Sequence, residues 1–169
     1  MSRPYPYFPA KDAGKAQPGA VKFMDLCHRR WGCDNRGIYA SRPMRNPQAK
    51  GALSTHATGA AIDCGYPNEK VAREMWDWFL GSSIIDGKKV EHSERLGIVE
   101  IHWYAFSEYG AMYRCSRGEG KRGVKIGTAL DNAGSYQGNP TWLHIEIDPA
   151  HAKDAAKMET DWRSLPKPT

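Results

Sequence analysis

Leu96-Gly-Ile-Val-Glu-Ile-His-Trp-Tyr-Ala-Phe106 decides the fold class of this 169-residue chain. Ile98, Glu100, His102 and Tyr104 alternate with Val99, Ile101 and Trp103, the two-residue period of a β-strand. A second strand is predicted downstream over Thr141–Ile147, where Trp142, His144 and Glu146 face the same way. Upstream, Ala60–Cys64 reads as a short apolar strand carrying Asp63, and Gly37–Ser41 as another short strand. Between these lie stretches with helical spacing. Residues 19–31 place Val21, Met24, Leu26, Cys27 and Trp31 on an amphipathic helix closed by Gly32. Pro67-Asn68 opens a second helix with Val71, Met75, Trp78 and Phe79 on one face. The chain therefore mixes α and β.

The remaining stretches connect these elements. Residues 42–52 read as a basic loop, 81–94 as a polar connection, and 114–139, rich in Gly and charge, as a long loop of the kind that often serves function. Pro4, Pro6, Pro9 and Pro18 oppose regular structure, so residues 1–18 are expected to form an extended arm. From Pro149 onward a short polar helix and a Pro-rich tail are expected. With no repeat and no change of composition, one domain is expected over 19–160, with 161–169 as its tail.

Composition narrows the class. Hydrophobic content of 40% and charged content of 25% are those of a globular protein that buries its own core. The net charge of +5 favours polyanionic partners such as nucleic acid, anionic lipid or bacterial cell wall. No nucleic-acid motif accompanies the Arg29-Arg30 and Lys121-Arg122 pairs, so a nucleic-acid partner is not expected. No run approaches the roughly 18 apolar residues of a membrane span. No secretory leader is recognisable. Cys27, Cys33, Cys64 and Cys115 permit disulfides by their even number, but without a leader free thiols are expected. A monomer is expected.

The chemistry concentrates in Ser54-Thr-His56-Ala-Thr-Gly59-Ala-Ala61-Ile-Asp63 and in Trp142-Leu-His144-Ile-Glu146. Two imidazoles and a carboxylate are a ligand set of the kind catalytic zinc sites use, with a fourth position kept for water; if the three converge a metal hydrolase is expected, and if they do not the chain says little about its task. Gly59 and Ala61 are small enough for backbone to pass close by. Ser54 can orient a neighbour through its hydroxyl.

The run S-x-H-x-x-G-x-A-x-D resembles the signature of the zinc D-alanyl-D-alanine carboxypeptidases and their L-Ala-D-Glu and L,D-endopeptidase relatives, phage endolysins among them. The metal site of that family resembles those of lysostaphin-type enzymes and the Hedgehog domain. Three further segments carry the resemblance in order: Tyr39-Ala-Ser-Arg42-Pro-Met-Arg45, Leu96–Trp103 and Asn139–Glu146. It implies an α+β fold, a small antiparallel sheet of about four strands with helices packed on one side, a zinc cleft across the sheet and the 114–139 loop above it. It implies Zn2+ held by His56, Asp63 and His144, with Ser54 supporting the site. Arg42, or else Arg45, is implied to grip a substrate carboxylate, which suits a guanidinium fork. The implied activity is hydrolysis of an amide bond in bacterial peptidoglycan. The implied setting is a lysin held in the cytoplasm until release, a virion component or a wall-remodelling enzyme, acting on the cell wall.

One departure bears on catalysis. The family usually has Asp or Glu three residues before the last ligand, or His two before it. Thr141 and Trp142 occupy those positions, and neither handles protons. Glu146 shares a strand face with His144 and is expected to act as general base, with Glu100, His102 and Glu119 as alternatives. The same gap makes a catalytically weak or inactive zinc-stabilised wall-binding module the second expectation.

Overall fold

The computed structural model describes residues 2–6, 11–44, 52–131 and 140–168. Helix α1 (Pro18–Trp31) begins at a proline, whose fixed φ and missing N–H suit a first helical position. It ends at Gly32, in the left-handed conformation with φ 70°. Strand β1 (Asp34–Gly37) follows, and a single 3-10 turn (Thr55–Thr58) precedes β2 (Ala61–Gly65). Helix α2 (Glu69–Phe79) is capped by Asn68, whose side chain accepts the Val71 N–H at 3.0 Å. Then come β3 (Ser82–Ile85), β4 (Lys88–Glu91), α3 (His92–Arg95), β5 (Ile98–Trp103), β6 (Ala111–Arg114) and β7 (Val124–Ile126). Strand β8 (Trp142–Ile147) and helices α4 (Pro149–Lys153) and α5 (Ala155–Arg163) complete the described chain.

Six strands form one antiparallel sheet in the order β1-β2-β8-β5-β6-β7, and β3 and β4 form a separate hairpin. The α+β class and antiparallel sheet agree with the sequence. The sheet is larger than the expected four strands because β6 and β7 extend it beyond β5. β7 falls inside the stretch expected to be loop, and residues 132–139 of that stretch lie outside the described residues. The 81–94 segment is a β-hairpin and a short helix rather than a plain connection. Asp86 and Gly87, with φ of 50° and 74°, supply the two positive-φ residues that a tight hairpin turn requires. β1 also lies earlier than Gly37–Ser41. Asn35 and Gly37 pair with Cys64 and Asp63 across a bulge, while Ala40 donates its N–H to His56 O at 3.2 Å.

Each central strand has one oily face. Ile62, Cys64, Leu143, Ile145, Ile147, Val99, Ile101, Trp103, Ala111 and Tyr113 are all buried. Helices cover this face through an aromatic cluster. Phe23 stacks on Phe79 at 5.6 Å, and Trp162 lies edge-on to Phe23 at 5.7 Å and to Trp31 at 5.7 Å. Each fully buried side chain of this kind contributes about 1.5–3 kcal/mol over its exposed state. The C-terminal part is thus more than a polar helix and tail, since α5 inserts Met158 and Trp162 into the core. Cys27, Cys33, Cys64 and Cys115 are free buried thiols.

Candidate metal centre

The other face of the sheet is polar, and strand register assembles it in two rungs. Asp63 on β2 pairs with His144 on β8, and His144 pairs with His102 on β5. One step along, Ala61 pairs with Glu146, Glu146 with Glu100, and Glu100 with Arg114. His56 joins from the 3-10 turn just before β2. Ser54 caps that turn, accepting the His56 N–H on its hydroxyl at 3.3 Å, and Gly59 ends it in the left-handed conformation. Thus Ser54 shapes the turn that presents His56.

His56, Asp63 and His144 each offer one ligand atom, and these atoms lie within 4.8 Å of one another. They are the one such group of three or more potential ligands among the described residues. Asp63 sits between the rings: Oδ1 is 2.9 Å from His144 Nδ1, and Oδ2 is 3.3 Å from His56 Nε2. Each ring also uses its far nitrogen. His56 Nδ1–H donates to Ile38 O at 3.2 Å, which leaves Nε2 as the unprotonated nitrogen facing Asp63. His144 Nε2–H donates to Glu146 Oε1 at 3.1 Å, which leaves Nδ1 facing Asp63. Ligand histidines are held this way in metal proteins, one nitrogen on the metal and the other N–H on a carboxylate or carbonyl. The donor set, two imidazoles and a carboxylate converging from three directions, fits a divalent transition metal.

Electrostatics follow from the geometry. Burial opposes charge on Asp63, but the hydrogen bond from His144 and the facing His56 ring win and hold its carboxyl well below the usual range. Burial likewise opposes charge on Glu146, yet His144 and the Tyr5 hydroxyl lower it to about 2. For His144, burial disfavours the cation. The oxygen of Tyr104 and the carboxylates of Asp63 and Glu146 outweigh burial and raise the imidazole well above its ordinary value. The two carboxylates on either side of His144 thus favour its protonated form.

Glu146, expected to be the general base, is placed otherwise. It meets His144 at the nitrogen turned away from Asp63, and its second oxygen accepts the Tyr5 hydroxyl at 2.5 Å. Both oxygens are engaged and the side chain is 7% exposed. That geometry suits orientation of His144 rather than proton transfer with a substrate. His102 differs. Its ring lies 5.6 Å from that of His144, centroid to centroid, on the same face, and its side chain is 19% exposed. His102 Nε2–H donates to Glu100 Oε1 at 2.6 Å, and Arg114 clamps Glu100 with Nε at 2.9 Å and Nη2 at 3.1 Å. Glu100 is buried and fully engaged. Glu119 is paired with Arg122 at 2.8 Å, at the start of the turn before β7.

Of the two arginines, Arg42 is half-buried on the segment alongside the His56 turn, where its carbonyl accepts the Ser54 N–H at 2.9 Å. Arg45 lies outside the described residues. Trp142 and Tyr104 form an aromatic pair, ring centroids 6.1 Å apart, next along the strands from His144 and His102. Two residues of the site, Tyr5 and Arg114, were not singled out from the sequence. Arg114 could have been found by its place opposite Glu100 on a following strand, and Tyr5 carries no local signal. Gly59 does allow a close backbone approach, but by the N-terminal segment: a Cβ there would lie 2.2 Å from Lys15 O.

No helix among the described residues is long and apolar enough to cross a membrane. Comparison with protein-family models, curated proteins and solved structures gives no match for this chain.

Proposed function

We propose that the chain is a zinc-dependent peptidase that hydrolyses an amide bond of bacterial peptidoglycan. The observation that carries this reading is the convergence of His56 Nε2, Asp63 and His144 Nδ1, with both far ring nitrogens already engaged. Three protein ligands leave a position for water, which separates a catalytic set from a closed four-ligand structural set. The resemblance of four ordered segments to the peptidoglycan metallopeptidases supplies the substrate class. The net charge of +5 suits an anionic wall.

Zinc held by His56, Asp63 and His144 would supply Lewis acidity, which brings the pKa of a bound water to about 7 and polarises a carbonyl oxygen. The chain's own residues supply position and proton transfer. Asp63 and the Ile38 carbonyl fix His56, and Asp63 and Glu146 fix His144. His102 accepts a proton at Nδ1 and returns it to the leaving amine. Its Nε2–H is committed to Glu100, so the lone pair resides on Nδ1. Placed on β5 beside His144, it takes the role that Thr141 and Trp142 cannot fill. The Trp142–Tyr104 pair offers an apolar wall for the peptide, and Arg42 a guanidinium for its carboxylate.

The test is digestion of purified wall with mass spectrometry of the released fragments, before and after chelation and after zinc is restored. New amino and carboxyl ends that vanish with chelator and return with zinc are expected, and they also name the bond. Clearing that persists without metal overturns the reading. Metal-dependent wall binding without fragments favours the non-catalytic module, for which the absence of an acid or histidine at 141 and 142 is the specific observation.

A further inference from the structure

The N-terminal segment, expected to be an arm outside the domain, touches both halves of the candidate site. Arg3 N–H donates to Cys115 O at 3.0 Å, and its guanidinium donates to Ile98 O at 2.8 Å. These bonds hold Tyr5 over the polar face, where its hydroxyl donates to Glu146 Oε2. The Arg114 guanidinium lies 4.6 Å from the centre of the Tyr5 ring while it clamps Glu100. Farther along, Ala13 N–H donates to Ala57 O at 2.8 Å and Gln17 N–H to Gly59 O at 3.0 Å, beside the turn that bears His56.

We propose that this segment is a working part of the metal centre, and that Tyr5 is a positioning residue acting on His144 through Glu146. The inference rests on the reading of His56, Asp63 and His144 as metal ligands. The physical reason lies in the register. Glu146 stands directly opposite Glu100, so two buried carboxylates share one rung. Arg114 and His102 engage Glu100. Glu146 has only His144 and Tyr5 as hydrogen-bonding partners among the described residues. Without the hydroxyl, Oε2 is a buried, unpaired carboxylate oxygen facing a like charge. The carboxylate then turns toward another partner, and that change releases the His144 ring that Oε1 holds.

Tyr5→Phe tests this, because it keeps the ring under Arg114 and removes only the hydroxyl. Cobalt affinity, by competition against a chromophoric chelator, and the cobalt absorption spectrum are measured on the full chain. Unfolding of the metal-free protein is followed in parallel. Outer partners of ligand histidines are typically worth 10–100-fold in metal affinity, so about tenfold weaker binding with an altered spectrum is expected. Met158→Ala, a core change in the helical layer, serves as a control: it lowers stability and leaves affinity and spectrum as in the wild type. Unchanged cobalt affinity and spectrum in Tyr5→Phe, with a wild-type chain that binds, overturn the role of Tyr5 alone. A wild-type chain that takes up no cobalt overturns the metal-site reading and this inference with it.

Discussion

Glu146 has two carboxylate oxygens, and the fold engages one with His144 and the other with Tyr5. His102 has two ring nitrogens, and Glu100 engages one. On the proposed reading this contrast separates metal holding from proton transfer, and substitution can read the two apart. His102→Gln is expected to lower kcat by about 10²–10⁴-fold, the usual range for a general base, with metal content unchanged. Glu146→Gln is expected to weaken metal binding by about 10–100-fold and to regain most of its turnover at saturating zinc. Turnover measured at saturating zinc, with metal affinity in parallel, decides between them. A Glu146→Gln protein that holds zinc normally yet has lost turnover would restore Glu146 as the base. His56, Asp63 and His144 could be named together because the runs that hold them resemble a family signature, and their candidate ligand atoms do lie within 4.8 Å of one another. Tyr5 was not legible in the sequence, because 141 positions separate it from Glu146 and no period connects them.

Elements were legible where the period was clean. β5 and β8 fall within the predicted stretches, since apolar residues alternate with Glu100 and His102 in one and with His144 and Glu146 in the other. Helix α2 starts where Asn68 can cap it. The β3–β4 hairpin escaped because its residues are mostly exposed, so no apolar alternation marks it, although Asp86-Gly87 is a recognised turn pair. β1 shifted because backbone pairing to β2, rather than the apolar run Ile38–Ala40, determines it. The turn that presents His56 depends on one element-level detail. Gly59 has φ of 68° and no room for a Cβ, with Lys15 O at 2.2 Å and Gln17 N at 3.0 Å from where it would lie. Gly59→Ala therefore incurs about 1–2 kcal/mol for the left-handed conformation and must also push the 15–17 segment away. A lower denaturation midpoint and weaker metal binding are expected together. Loss of stability with unchanged metal affinity would show that the turn and the 15–17 segment do not act on His56.

At the scale of the whole molecule, the sheet divides two tasks. One face is packed by helices, and the other holds buried and half-buried ionisable groups that pair with one another. The sheet order β1-β2-β8-β5-β6-β7 inserts the last strand between the second and the fifth, and that non-local step brings His144 to Asp63. Strand alternation alone cannot dictate that order; only the family resemblance implied such a convergence. The charge pairing across this face sets a pH dependence for the entire fold. In the metal-free protein His144 is held above its ordinary value, so its contribution is fully present below about pH 6.5 and lost as pH rises through the folded value. Asp63 and Glu146 are held below theirs, so their contributions are present above about pH 4–4.5 and lost as pH falls through the folded values. The metal-free chain is accordingly expected to draw most from these three groups between about pH 4.5 and 6.5. Metal binding runs the other way, because His144 must give up the proton on Nδ1 to become a ligand. Affinity for zinc should rise with pH by up to about tenfold per unit until His144 is neutral, with release of one proton from this residue per metal bound. Since a ligand at a hundred times its Kd stabilises by about 2.7 kcal/mol, the gap in Tm between zinc-loaded and chelated protein should widen steadily from pH 6 to 8. Calorimetric titration in buffers of different ionisation enthalpy counts the protons, and thermal unfolding across the same pH range measures the gap. Zinc uptake without proton release, or a gap that stays constant, would show that His144 is not held as an imidazolium between Asp63 and Glu146.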